Sequence, residues 1–205
     1  MAKGLLMAMM EPPAGFEEEF HDWYDTEHVP ERMAVKGFET GQRFVCVSGF
    51  PKYVALYDLT TIDVLKSPEY AEAAGDGVSP WTHRVRTKMK GRYRFTGTQV
   101  APGEKNMGDS GAIIRLMLLR FRNITPNEEP TILAGMKKNF DDMDGVAQWR
   151  FFRGVETPTD YFGAIEFSSA AENVALAKGS FGEVIRKLDL INTYVPYWRT
   201  IFHMK

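Results

Sequence analysis

The fold is decided by a stretch of sequence that occurs twice, as Tyr53-Val54-Ala55-Leu56-Tyr57-Asp58-Leu59 and, 108 residues later, as Tyr161-Phe162-Gly163-Ala164-Ile165-Glu166-Phe167. At the same offset, residues 4–10 fall on residues 112–118, and Gly37 falls on Gly145. The strand patterns around residues 42–43 and 148–150 need a small shift to match. Several separated matches at one offset indicate an internal repeat. The sequence therefore predicts two halves of similar fold.

The order of secondary structure follows from the first half. Residues 5–10 are apolar throughout, which predicts a strand covered on both faces. A helix over 12–29 begins at two prolines, carries three acidic residues in its first turn, and ends before Pro30. The remaining patterns predict strands at 42–47, 53–59 and 91–96, a helix at 62–74, and a helical turn or loop at 79–89. The second half repeats this order with a helix at 128–143 and a closing strand at 193–203.

This β-α-β-β-α-β order is that of the ferredoxin-like module. The fold prediction is thus α+β, with two tandem modules whose antiparallel sheets pack against each other as a barrel, because packing covers the exposed face of each sheet. The first module spans residues 1–97 and the second 112–205. Residues 98–111, rich in glycine and polar side chains, form the linker.

Composition excludes several classes of function. The 205 residues include 25 Lys+Arg and 27 Asp+Glu, a net charge of −2, so the sequence predicts neither a nucleic-acid partner nor a polybasic membrane anchor. No run of apolar residues is long enough for a membrane span. A single cysteine suits a reducing compartment. We therefore expect a cytoplasmic protein without a membrane partner.

The two halves differ at one cluster of polar residues, on the predicted helix of the first half. Tyr24, Glu27 and His28 lie on or beside its apolar stripe. Their repeat mates are Ile132, Gly135 and Met136, none of which titrates. A structural role common to both halves would predict polar mates. The asymmetry therefore favours one functional site, in the first half.

The catalytic residues expected there are His28, Glu27 and Tyr24. His28 would serve as base or acid, Glu27 as its orienting partner or as a second acid, and Tyr24 as donor to a developing oxyanion. An alternative is that Glu27 only pairs with Arg32 or Arg43. The substrate-binding residues expected are Arg43, Trp81, Trp23 and His83.

Metal and nucleotide sites are not predicted. His21, Asp25 and His28 have helical spacing, but the first two project toward the solvent side of the helix. The sequence has no phosphate-binding glycine motif and no serine-hydrolase motif.

The first half resembles the EthD-like family of the dimeric α+β barrel superfamily. The resemblance lies in residues 23–32, Gly37-Phe38, Arg43-Phe44, 51–57 and 79–82, and it covers about residues 4–96. It implies a barrel of packed sheets, a pocket between helix and sheet, and site roles for Tyr24, Glu27, His28, Arg43 and Trp81. In this chain both modules of the usual dimer are joined, and a further homodimer is left open. The second half departs from the family pattern at residues 132, 135 and 136.

The predicted function is that of a cofactor-independent acid/base enzyme of lyase, isomerase, cyclase or lactone hydrolase type. Its substrate would be a small hydrophobic metabolite, aromatic or cyclic and oxygenated. One alternative is a haem-binding or haem-degrading protein with His28 as axial ligand. Another is a non-catalytic module that binds a small ligand.

Overall fold

The computed structural model describes residues 1–75, 77–171 and 174–203, with side chains up to residue 197. Its eight strands are β1 (Gly4–Glu11), β2 (Phe38–Ser48), β3 (Tyr53–Leu59), β4 (Lys90–Ala101), β5 (Arg115–Phe121), β6 (Val146–Gly154), β7 (Tyr161–Phe167) and β8 (Leu188–His203). The helices are α1 (Glu17–Trp23), α2 (Val29–Met33), α3 (Pro68–Ala74), α4 (Pro80–Lys88) and α5 (Glu129–Phe140). Among the described residues, no helix is both long and apolar enough to cross a membrane.

The strands form a closed barrel in the order β1-β3-β2-β8-β5-β7-β6-β4, and every neighbouring pair is antiparallel. Strand pairs β2–β8 and β4–β6 join the first half of the chain to the second. Side chains of both halves, such as Met7, Phe44, Leu118 and Phe162, fill the interior. The α+β class and the antiparallel barrel are thus confirmed.

Each half also has an apolar layer outside the barrel, because side chains alternate between the two faces of a strand. In the first half, Leu6, Tyr57 and Phe20 belong to a cluster between the sheet and helices α1 to α4. In the second half, α5 covers the sheet through Ile132 and Met136. The second helix expected there is replaced by a short 3₁₀ helix, Gly182–Lys187.

The first helix does not end at Pro30 as predicted. A π-helical segment, Tyr24–His28, follows α1, and α2 then continues to Met33 with Pro30 in its first turn. The backbone N–H of Val29 donates to the carbonyl of Tyr24, five residues earlier. A proline is tolerated in a first turn, where its missing N–H has no partner to lose. The helix therefore restarts at Val29 instead of stopping.

The strand registers correct part of the predicted repeat. Gln42 lies opposite Leu56, and Arg150 lies opposite Ala164. Both pairs are related by 108 residues, so β2 and β6 match without the shift that the sequence alignment required.

The alignment of the first strands was wrong. Leu6 of β1 lies opposite Tyr57, whereas Met117 of β5 lies opposite Ile165. Since Tyr57 and Ile165 differ by 108, β1 and β5 match at 117 − 6, or 111 residues. A shift of three exchanges inward and outward positions. Both strands have apolar residues on both faces, so their sequences alone do not show which residues point into the barrel.

Three charged side chains lie inside the barrel, and we call them the buried triad: Asp58, Arg150 and Glu166. Each is at most 1% exposed. One guanidinium N–H of Arg150 donates to Asp58 over 2.6 Å, and its Nε donates to Glu166 over 3.0 Å. The segment after β4 completes the network, because the backbone N–H groups of Met107 and Gly108 donate to Asp58 and Glu166. The triad thus links strands of both halves to the segment that connects them.

Candidate functional site

A cavity of about 540 Å³ lies between the helices of the first half and the outer face of its sheet. We call it the first-half cavity, and its volume falls in the range of small-molecule sites. Strands β1, β3 and β4 and helices α2, α3 and α4 contribute to its walls. Its lining comprises Leu6, Ala8, Met9, Met10, Trp23, His28, Arg32, Tyr57, Tyr70, Ala74, Arg86, Met89, Arg92, Tyr93 and Arg94.

Small side chains on the sheet make room for this cavity. Ala8 lies in the middle of β1, with Ala55 opposite it on β3 and Arg94 opposite it on β4. Ala8 lines the cavity, and its small side chain leaves the sheet surface low at this point. Larger apolar residues, Leu6 and Met10, lie two positions to either side on the same face. The cavity floor is therefore apolar and concave.

His28 is the predicted catalytic residue that lines the cavity. Its ring stacks on Trp23, with centroids 4.3 Å apart, and meets the edge of Tyr24 at 5.1 Å. Its Nδ1 is buried and has no partner among the described residues. Burial lowers the pKa of His28 well below 6.5, and the charges of Arg32, Arg86 and Arg43 add to this. His28 is thus a neutral imidazole at pH 7.

Glu27 does not orient His28. Its Oε1 accepts hydrogen bonds from Ser79, over 2.5 Å, and from the hydroxyl of Thr82, over 2.8 Å. Ser79 also caps α4, and Thr82 in turn accepts from the indole N–H of Trp23. Adjacent residues on a helix point about 100° apart, so the neighbour of His28 faces α4 and not the cavity. The pairing of Glu27 with Arg32 or Arg43 is likewise not found.

Tyr24 and Arg43 lie in the apolar layer beside the cavity lining. The Tyr24 hydroxyl donates to Met10 Sδ, over 3.8 Å, and burial raises the pKa of Tyr24 to about 12. The guanidinium of Arg43 lies between the rings of Tyr24 and Tyr197, at 4.3 and 4.2 Å. It also forms an ion pair with Asp25 over 2.7 Å. These contacts make Arg43 a link between the helix layer and strand β8.

Trp81 and His83 extend from α4 in different directions. Trp81 packs against the apolar layer, and its indole N–H is buried without a partner among the described residues. His83 is exposed and lines a second cavity, of about 500 Å³, which shares Ala74, Arg86 and Arg92 with the first. Of the binding residues predicted, Trp23 is therefore the one that lines the first-half cavity itself.

The polar residues that sequence analysis missed are mainly arginines. Arg32 donates to the carbonyl of Ala73 over 2.7 Å, and Arg86 donates to that of Ala74 over 3.5 Å. The free carbonyls at the end of α3 thus hold two guanidinium groups at the cavity. The alternation of arginine and aromatic residues over 92–95 could have revealed the strand face that adds Arg92 and Arg94.

Tyr57 is a second missed residue with a polar group in this region. It is 2% exposed, lines the cavity from β3, and its hydroxyl has no partner among the described residues. Burial raises its pKa well above 10, so the hydroxyl keeps its proton. Its repeat mate is Ile165, so the second half has no hydroxyl at the matching position.

The second half is packed where the first half carries its polar residues. Gly135, the mate of Glu27, contacts Phe181, and a Cβ added at Gly135 would lie 2.2 Å from that ring. Phe181 and Met136 are both at most 1% exposed. Apolar side chains therefore fill this region of α5.

No cluster of His, Cys, Asp or Glu suited to a metal ion occurs in the part of the chain that the structure describes. The three residues with helical spacing, His21, Asp25 and His28, do not lie together in the structure. His21 and Asp25 both contact Arg43, over 2.6 and 2.7 Å, whereas His28 lines the cavity.

Solved structures share this fold at low sequence identity. An anthrone oxidase-like protein has a TM-score of 0.70 at 10% identity, with 98% of this chain and 93% of that chain covered. A proposed monooxygenase from Lactobacillus acidophilus has a TM-score of 0.59 at 8% identity, with 99% and 97% covered. A proposed chlorite dismutase has a TM-score of 0.60 at 10% identity, with 96% and 95% covered. Compared with protein-family models and with curated proteins, the sequence gives no match. The chain thus shares the α+β barrel fold of these proteins, which belong to the dimeric α+β barrel superfamily.

Proposed function

We propose that the chain is an enzyme that transfers a proton to or from a small hydrophobic metabolite, aromatic or cyclic and oxygenated, in the first-half cavity. One observation carries this proposal: the cavity is lined by both His28, whose imidazole is neutral, and Tyr57, whose buried hydroxyl has no partner among the described residues. A neutral imidazole can accept a proton, and a protonated phenol can donate a hydrogen bond. Together they provide both halves of a proton-transfer site.

The mechanism assigns a distinct role to each group. His28 takes a proton from a carbon beside the substrate carbonyl. The Tyr57 hydroxyl donates to the carbonyl oxygen as it gains negative charge. Apolar walls at Leu6 and Met10 exclude water, which strengthens these interactions. Lyase, isomerase, cyclase and lactone hydrolase chemistry all suit such a site.

The other predicted residues act on this site through their contacts. Glu27 is a positioning residue that fixes α4 through Ser79 and Thr82. Trp23 holds the imidazole plane by stacking. Tyr24 packs on the edge of the same imidazole, and Arg43 holds the Tyr24 ring.

His83 and Trp81 belong to α4, the element that Glu27 holds in place. In this assignment His83 stands at the mouth of the site, because its cavity shares Arg86 with the first-half cavity. Trp81 anchors α4 to the apolar layer.

We keep the EthD-like assignment and the two tandem ferredoxin-like modules, 1–97 and 112–205 joined by 98–111, as proposals. The strand order supports the modules, since β4-β1-β3-β2 in one half corresponds to β8-β5-β7-β6 in the other. The position of the cavity between helices and sheet suits the EthD-like resemblance. The free thiol of Cys46 suits the cytoplasm as the proposed location.

Exchange of carbon-bound protons for deuterium tests the enzyme directly. Anthrone and 2-tetralone, aromatic ketones with acidic C–H groups, are incubated with the protein in D₂O under nitrogen and followed by ¹H NMR. We expect exchange about 100-fold faster than in buffer, the lower range for general acid–base catalysis. His28→Gln should return the rate to that of buffer, while Arg84→Gln, an exposed arginine on the same helix as Arg86, should not change it. Equal rates for the wild type and His28→Gln would overturn the proposal.

Haem binding is the second candidate, and the donor set of the cavity favours it as a specific alternative. The neutral imidazole of His28 is the form that ligates iron, and Arg86 and Arg92 could hold propionate groups. Haem would supply redox chemistry at the iron. A Soret band that appears on addition of haem and is lost in His28→Ala would favour this function over proton transfer.

A further inference from the structure

We infer that the ligand of the first-half cavity carries a carboxylate, and that Arg32, Arg86 and Arg92 bind this group. The inference rests on the proposed function, because it takes the cavity to be the active site. It adds the chemical class of the substrate, an aromatic or cyclic organic acid.

The first support is an excess of positive charge. The cavity lining contains four arginines and no Asp or Glu among the described residues. Arg94 pairs with Glu156 on the opposite half of the barrel. For Arg32, Arg86 and Arg92, no carboxylate lies within 4.0 Å in the described ranges, 1–75, 77–171 and 174–197.

The second support is the cost of holding these charges together. Arg32 is only 4% exposed. Burial lowers the pKa of Arg86, and the charges of Arg92 and Arg32 lower it further. A buried charge such as that of Arg32 is normally paired, and the partly buried Arg86 and the exposed Arg92 add like charge beside it. A bound anion relieves both effects.

The third support is the number of donors left available. A guanidinium has five N–H groups. Arg32 donates to the carbonyl of Ala73, Arg86 to that of Ala74, and Arg92 to that of Arg86. These contacts are to neutral backbone carbonyls, which orient the guanidinium groups without neutralising them. The planar groups keep N–H donors of the geometry that carboxylates accept.

The rest of the wall selects an organic acid over a free inorganic anion. Leu6, Ala8, Met10, Met89 and Trp23 provide apolar contact area on the floor and sides. The second cavity shares Arg86 and Arg92 with the first-half cavity. The carboxylate of the ligand would therefore lie toward the mouth of the cavity, and its ring toward the sheet.

Calorimetric binding of two matched probes tests the inference. 1-Naphthoate and 1-naphthamide share the same ring system and differ in charge. We expect naphthoate to bind at least tenfold more tightly than naphthamide, because hydrogen bonds to charged groups contribute about tenfold to 100-fold each. Arg86→Gln and Arg92→Gln should each weaken naphthoate about tenfold and leave naphthamide unchanged. Arg84→Gln, paired with Glu19 outside the cavity, is the matched control.

The outcomes separate this inference from the proposed function. Equal affinity for both probes, unchanged by Arg86→Gln, overturns the carboxylate inference while deuterium exchange can still succeed. If neither naphthalene probe binds and haem does not bind either, the inference is also overturned. If haem displaces naphthoate and Arg86→Gln weakens both, the carboxylate chemistry stands and its source is a haem propionate. Melting temperatures of the glutamine variants within about 3 °C of the wild type show that they remain folded.

Discussion

The buried triad offers a sharp test of how the barrel is held together. Arg150→Met removes the one guanidinium that pairs with Asp58 and Glu166, which are 0% and 1% exposed. Methionine has a similar length and no charge, so the change leaves two unpaired carboxylates in the barrel interior. Breaking a buried pair on one side costs about 3–5 kcal/mol. At 2–4 °C per kcal/mol for a chain of this size, the melting temperature should fall by roughly 6–20 °C.

The control is the same substitution on the surface of the same strand. Arg153 is 53% exposed and pairs with Glu129 over 3.3 Å, so Arg153→Met should change the free energy of unfolding by about 0–1 kcal/mol. The triple variant Arg150→Met, Asp58→Asn, Glu166→Gln should recover at least about 2 kcal/mol of the single loss, because no charge stays buried. Urea unfolding followed by tryptophan fluorescence measures all three. A loss below about 1 kcal/mol for Arg150→Met would refute this account of the triad.

Three further predictions concern the candidate site. Glu27→Gln replaces two charge-assisted hydrogen bonds by neutral ones, so we expect the free energy of unfolding, measured by thermal unfolding, to fall by about 2 kcal/mol. If Glu27→Gln caused an equally large loss in a Thr82→Val background, the hydrogen bond between Glu27 and Thr82 would be contradicted. The pKa of His28 is lowered in the folded state, so below pH 6.5 the unfolded chain binds a proton that the folded chain does not. The free energy of unfolding should therefore fall as the pH decreases, by up to about 1.4 kcal/mol per pH unit from this group. His28→Gln should remove that contribution to the pH dependence. Ala8→Leu should fill the cavity floor and weaken 1-naphthoate binding at least tenfold, whereas the overpacking cost of about 1–3 kcal/mol typical of a closed core should be absent; unchanged binding would place the ligand elsewhere.

The barrel could be predicted from sequence because the hairpin strands carry a distinct pattern. β3 and β7 match residue by residue, and the acidic positions Asp58 and Glu166 fix their alignment. β1 and β5 contain no such mark, since nearly every position is apolar. Their register was therefore misjudged by three residues, and only pairing with β3 and β7 reveals it.

The candidate site was predictable only in part. His28 stood out because its repeat mate is apolar, and it does line the cavity. The arginines come from α2, α4 and β4, which lie far apart in sequence, so their meeting depends on tertiary packing. The helix was predicted to end before Pro30, but a π-helical segment precedes this proline and the helix continues. The π-helical segment changes the directions of Glu27 and His28, and no simple sequence pattern predicts it.

The buried triad has a consequence for the symmetry of the barrel. In a symmetric dimer of identical chains, every residue occurs twice, related by a twofold axis. Asp58 and Glu166 occupy matching positions in the two halves, as such an axis requires. The residue that matches Arg150 is Gln42, however, so a single guanidinium pairs with both carboxylates. Identical subunits could supply two arginines or none, never one. Within one chain the two matching positions can differ, as Gln42 and Arg150 do here, and so can Glu27, which faces α4, and Gly135, which packs against Phe181.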